Sequence, residues 1–176
     1  LSNALAKNKA YFSSILQANL SSNEDDLDYR ISRYQAHQAD NALAMAWQGM
    51  RLEPKKQQKF QKRAFALTYL NHALLSYLSA LGAHREDKNY IDLKQFEMYQ
   101  KIEIELTNTV FSLENQDSGN STEGLRQFLE ELNQQLSITE KGTERQKLVL
   151  LYNIAEVSEQ LLQEANLIVE ENKLQG

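Results

Sequence analysis

The chain predicts an all-α fold, an elongated up-and-down bundle of about six helices, and three observations lead there. Six glycines and one proline in 176 residues leave little turn chemistry. Ala, Leu, Gln, Glu and Lys, all good helix formers, are abundant. Apolar residues recur at helical spacing, and no stretch alternates as a strand would. No repeat of fixed period suggests a solenoid. The length is that of one domain, residues 1–176, large enough to bury a core without cross-links.

Helix one spans about Leu5 to Leu20, with Leu5, Phe12, Ile15, Leu16 and Leu20 on one side. The polar SSNEDD segment ends it, and Asp25 or Asp26 caps a second helix that runs to about Leu52. Ile31, Ala39, Leu43, Ala46 and Met50 form its apolar face. Glu53-Pro54 marks the next boundary, because proline disfavours helix before it and suits the first helical position. Helix three then runs from Pro54 to about His84 and forms a long antiparallel hairpin with helix two. After the HREDKN turn, helix four carries Leu93, Phe96, Tyr99, Ile102, Leu106 and Val110. The NQDSGNST segment, Asn115 to Thr122, is the most loop-like stretch of the chain. Helix five holds Leu125, Phe128, Leu129, Leu132 and Leu136, and helix six holds Leu148, Leu151, Tyr152, Ala155, Leu162 and Ile168.

From Ala64 to Ala83 helix three carries no formal charge for about the length that spans a bilayer. Two features favour a central helix of a soluble bundle. The run begins in the charged stretch Lys55 to Arg63 and lies between amphipathic helices. It is also two-faced: Thr68, His72, Ser76 and Ser79 share a small polar stripe, while Phe65, Leu70, Leu74, Leu78 and Leu81 point elsewhere.

The formal charge is -5, from 24 acidic and 19 basic residues, which argues against a general nucleic-acid binder. Absence of cysteine removes disulfides, zinc-thiolate sites and cysteine nucleophiles. The first residue is Leu1 rather than Met, which reads as a processed chain or a fragment. No phosphate-binding glycine loop, nucleophile elbow or paired-carboxylate pattern is present, so no enzyme activity and no cofactor are expected.

Candidate site residues fall in four groups. His72, with Ser76 beside it, reads either as a core histidine bonded to a facing side chain or as part of a ligand-binding or proton-sensing groove. A di-iron bundle would require Glu-x-x-His pairs, but Tyr34, Tyr69 and Leu81 precede His37, His72 and His84 by three positions. Arg33 and His37, near Arg30 and Arg51, form either a solvated face with Asp40 as intrahelical partner or an anion holder. His84-Arg85-Glu86 reads either as a cap on the negative end of helix three or as catalytic or ligand-contacting residues. Lys55, Lys56, Lys59, Lys62 and Arg63 crowd a helix N-terminus, where cations are disfavoured; the cluster reads as a solvated face or as one turned to anionic lipid headgroups.

Two segments carry a family resemblance: YRISRYQAHQADNALAMAWQGMRLEP, Tyr29 to Pro54, and LNHALLSYLSALGAHRE, Leu70 to Glu86. In this order and separation they resemble the C-terminal cytoplasmic domain of YccS/YhfK-type bacterial inner-membrane proteins of the fusaric-acid-resistance (FUSC) superfamily. AKNKAYFSSIL, Ala6 to Leu16, is similar to the helix leading out of the last membrane segments there. Tyr34 stands where a second arginine often follows Arg33, so a double-arginine site does not carry over. The resemblance covers about the first half of the chain and implies a domain on the cytoplasmic face of the inner membrane, excised from a multi-pass efflux transporter. Its implied role is regulation, assembly or gating, with the membrane domain of the parent chain as partner; the basic cluster adds anionic lipid headgroups as a candidate partner, and a further copy of the chain is another. The alternatives are a free-standing helical interaction protein and a small-anion sensor.

Overall fold

The computed structural model describes residues 1–20, 27–52, 61–117 and 121–173. Among these residues are six α-helices and no strand: α1 (Ser2–Leu20), α2 (Leu27–Arg51), α3 (Gln61–Gly82), α4 (Leu93–Asn115), α5 (Glu123–Ile138) and α6 (Thr143–Lys173). The boundary signals at Asp25, Asp26 and Glu53-Pro54, and Ser118 to Asn120, lie outside the described residues.

Four helices close a ring in which α1 packs on α3 and α4, and α6 packs on the same two. Outside the ring, α2 lies against α1 and α3, and α5 against α6. The ring is filled by Leu5, Phe12 and Ile15 of α1, Leu74 and Leu78 of α3, Ile102 and Leu106 of α4, and Ile154 and Leu161 of α6. Burying each such side chain contributes roughly 1.5–3 kcal/mol. Phe12 meets Tyr99 edge to face at 6.0 Å between ring centroids, an orientation the ring quadrupoles favour. Small residues lie among the buried positions of two helices, Ala36 and Ala39 on α2 and Ala155 and Ala165 on α6.

Local chemistry fixes the helix ends. Asp92 caps α4 by accepting from the Gln95 backbone N–H at 2.7 Å, while the Gln95 side chain accepts from the Asp92 N–H. Gly82 ends α3 beneath a pair of bonded phenols, Tyr11 and Tyr29, whose oxygens are 3.1 Å apart. A Cβ at Gly82 would stand 2.8 Å from both hydroxyls, so only glycine fits without repacking. Arg85 then donates back to the Gly82 carbonyl and lays its guanidinium 4.2 Å from the Tyr29 ring centroid. Arg145 of α6 donates to the carbonyls of Leu136 and Thr139, satisfying the end of α5. Arg63 bridges to Glu164 and Glu171 of α6, and Arg126 of α5 reaches the buried Glu159.

Several expected core positions are corrected. Leu20 of α1, Ile31 and Ala46 of α2 and Leu93 of α4 are exposed. Leu20 is the last residue of α1 and Leu93 the first of α4. On α2 the inward stripe is instead Tyr29, Ala36, Ala39 and Asp40, rotated from the one periodicity suggested. The third helix ends at Gly82 rather than His84, because the chain turns through successive short-range bonds from Ala83 to Tyr90.

Candidate functional site at the α2–α3 seam

Asp40 is the hub. It sits on the inward stripe of α2, its side chain 7% exposed, and both its oxygens are taken by neighbouring side chains of α3. Asn71 Nδ2 donates to Oδ1 at 2.8 Å, and His72 Nδ1 lies 2.7 Å from Oδ2. One residue further into the bundle, Asn8 Nδ2 of α1 donates to both the backbone carbonyl and Oδ1 of Asn71, each at 3.0 Å. Asn8, Asn71, Asp40 and His72 thus form one polar chain through three helices. It runs from the buried interior to an imidazole whose side chain is 69% exposed. A buried carboxylate is costly unless its lone pairs are used, and here α3 supplies the donors.

This geometry determines what His72 can do. With Nδ1 donating to Asp40, the neutral ring keeps Nε2 as an acceptor on a largely exposed side chain. The histidine is therefore bonded to a facing side chain, but it is not a core residue. Asp40 is likewise not the intrahelical partner of Arg33 or His37: it faces α3 while they are exposed on α2. Ser76 donates to the His72 carbonyl and Thr68 to the Ala64 carbonyl, so both hydroxyls bond back into their own helix. Among the described residues no group of three or more His, Asp or Glu is placed to hold a metal ion.

The remaining candidates are scattered. His84 stacks on Tyr90 with ring centroids 3.9 Å apart and planes 1° from parallel, and Lys147 covers the same tyrosine at 5.2 Å. Burial pushes the Tyr90 phenol up, against the opposing charge of Lys147. Arg85 belongs to the tyrosine pair at the end of α3, where burial and then the bond from Tyr29 raise the Tyr11 phenol well above its ordinary value. Lys62 is exposed, Arg63 is engaged by α6, and Lys55, Lys56 and Lys59 lie outside the described residues.

A second landmark lies two turns along the seam. Trp47 of α2 packs on Phe65 of α3 at 5.2 Å between centroids, so the pairings of residue 40 with 71 and 72, and of 47 with 65, run in opposite chain directions. Beside Trp47 an apolar groove of about 400 Å³ is lined by Leu43, Met50, Leu67, Leu113 and Ile168 among others. Asn8, Asn71 and the Trp47–Phe65 contact went unread in the sequence. The available signal was Asp40, a charged residue one position from Ala39 on an otherwise apolar stripe.

No family model matches the chain, and no solved structure matches it significantly. Two curated proteins are similar to it. The chain is 40% identical over 94 residues to an uncharacterized protein of Haemophilus influenzae, an overlap of 53% of this chain and 13% of that protein. It is 41% identical over 86 residues to the inner membrane protein YccS of Escherichia coli, covering 49% of this chain and 12% of YccS. The chain is YccS-like over about half its length, and the overlap is a small part of either relative. Among the described residues no helix is long and apolar enough to cross a membrane.

Proposed function

We propose that this chain is a cytoplasmic helical domain of a FUSC-type inner-membrane efflux transporter, serving as a regulatory, assembly or gating module rather than as the pore. The observation that carries the reading is the 41% identity to YccS, an inner membrane protein of which the overlap is only 12%. A short helical region that resembles one part of a long membrane protein is what a module appended to membrane spans would look like. The internal construction agrees with a module that transmits position. The polar chain from Asn8 through Asn71 and Asp40 to His72 locks α1, α2 and α3 in register, so a displacement of α1 is carried into the seam rather than absorbed by sliding.

The test uses the whole reading frame that encodes this chain, expressed in its native cell. Its product is expected in the membrane fraction, with the domain shielded from protease in spheroplasts and cleaved in inverted vesicles. Recovery with the soluble proteins, or cleavage from the outer side, would remove the reading.

A further inference from the structure

The outward face of α3 has a composition that packing does not explain. Lys62, Phe65 and Tyr69 follow one another at spacings that place them on one stripe. Phe65 is 52% and Tyr69 63% exposed, and their rings stack at 6.5 Å. Across the seam Trp47 continues the row from Phe65, and the Arg51 guanidinium stands 5.3 Å from the Trp47 centroid. Met45 of α2 and Leu52, just past its end, are exposed as well. Single exposed apolar residues are ordinary, but a contiguous aromatic row ending in cations marks an interaction surface.

Charge selects the occupant. Between Arg51 and Arg63 the sequence holds six basic residues and one acid, whereas the rest of the chain holds 13 basic and 23 acidic residues. The stretch of sequence that adjoins the aromatic row is therefore cationic within an acidic chain, although Arg63 itself is engaged by Glu164 and Glu171. A second copy docking this face on itself would set Arg51 and Lys62 against their own counterparts. A polyanion long enough to leave the patch would meet the acidic remainder. A bilayer interface offers anionic phosphates in a plane, over a layer where Trp, Tyr and Phe rings are stable.

We propose that the Trp47, Phe65 and Tyr69 face docks on an anionic membrane surface, with Arg51 and Lys62 at the headgroup phosphates and the rings at the headgroup–acyl boundary. This partner deepens the reading of the chain as part of a membrane protein and rests on it for a membrane within reach. Trp47 is the chain's single tryptophan, so the face carries its own reporter.

The experiment mixes the 176-residue chain with vesicles of phosphatidylcholine alone or with phosphatidylglycerol. Cosedimentation is expected with the anionic vesicles only, weakened by salt, with a blue shift of Trp47 emission and quenching by brominated lipid. The pair Arg51→Glu, Lys62→Glu is expected to weaken binding by about tenfold or more. The pair Phe65→Ser, Tyr69→Ser should weaken it too while leaving the circular-dichroism spectrum and urea midpoint near those of the parent. No binding to anionic vesicles overturns the assignment, as does binding that survives both pairs. So does a vesicle-free Trp47 shift that grows with protein concentration, the sign of a second copy on the face. Membrane-fraction recovery of the full product with no vesicle binding by the domain removes this face alone. A soluble full product removes the transporter reading, and the vesicle result still decides the face.

Discussion

The two ends of the α2–α3 seam are built from similar sequence and behave differently. Around Asp40 the seam is sealed: Tyr29, Ala36, Ala39 and Asp40 are buried, and α1 supplies Asn8, Tyr11 and the Ser14–Ser32 contact as a third wall. Around Trp47 it is open: no residue of α2 beyond Asp40 is fully buried, and α1 contributes only Ser2, with Leu1 just before it, to the lining of the apolar groove. The apolar content of α2 is no lower at the open end. What differs is how the further helices meet the pair: α1 sets polar and aromatic side chains directly against the sealed end, whereas at the open end Leu113 of α4 and Ile168 of α6 line a groove of about 400 Å³ beside Trp47.

The comparison is tested most severely by truncating one large side chain at each place on α3. Leu74→Ala removes a fully buried ring-core residue and is expected to cost about 2–5 kcal/mol. Phe65→Ala, half exposed beside Trp47, should cost about 1 kcal/mol or less. Urea unfolding of the two variants measures both, and equal losses would mean that the open end is packed as tightly as the core.

Next in size is the polar chain at the sealed end. Asp40→Ala leaves Asn71 Nδ2 and His72 without their acceptor and is expected to cost about 1–3 kcal/mol. His72→Ala removes only the exposed end of the chain and should cost below about 1 kcal/mol. A double-mutant cycle on the pair sharpens this: His72→Ala should have almost no effect once Asp40 is gone. If the two single variants lose the same stability, the carboxylate is not the hub.

The smallest effect is seen in alkali. Burial raises the Tyr99 phenol, and burial with the Tyr29 bond raises that of Tyr11. Both stay neutral in the folded chain while the unfolded chain ionises near the ordinary tyrosine value of 10.0. Their stabilising contribution is complete below that value and is lost as pH rises above it. The urea midpoint should therefore fall between about pH 9 and pH 11, and Tyr99→Phe should fall less steeply than the parent. Identical slopes would show that Tyr99 is not the group that resists ionisation.

Much of the fold was legible because helices are local. The absence of strand alternation, the scarcity of Gly and Pro, and the apolar stripes of α1, α4, α5 and α6 placed six helices close to where they lie. The resemblance carried by Tyr29 to Pro54 and Leu70 to Glu86 pointed to a YccS-like protein, and the similarity to YccS agrees over half the chain. The site was less legible. Phe65 and Leu74 are both large apolar residues of one uncharged run, yet one faces solvent and the other the core. His72 was prominent for its chemistry, while Asp40, which orients it, looked like an ordinary surface acid between His37 and Arg51.

The sequence by itself determined the helical class, the approximate helix limits and the cationic stretch from Arg51 to Arg63. Composition, 3.6-residue periodicity and formal charge are properties of the chain before it packs. Only the tertiary structure decided that Asn8, Asn71, Asp40 and His72 share one hydrogen-bonded chain, and that Trp47, Phe65 and Tyr69 remain outside the core. Those outcomes depend on which third helix covers a given turn, a matter of long-range contact between α1 and the α2–α3 pair that no local pattern encodes.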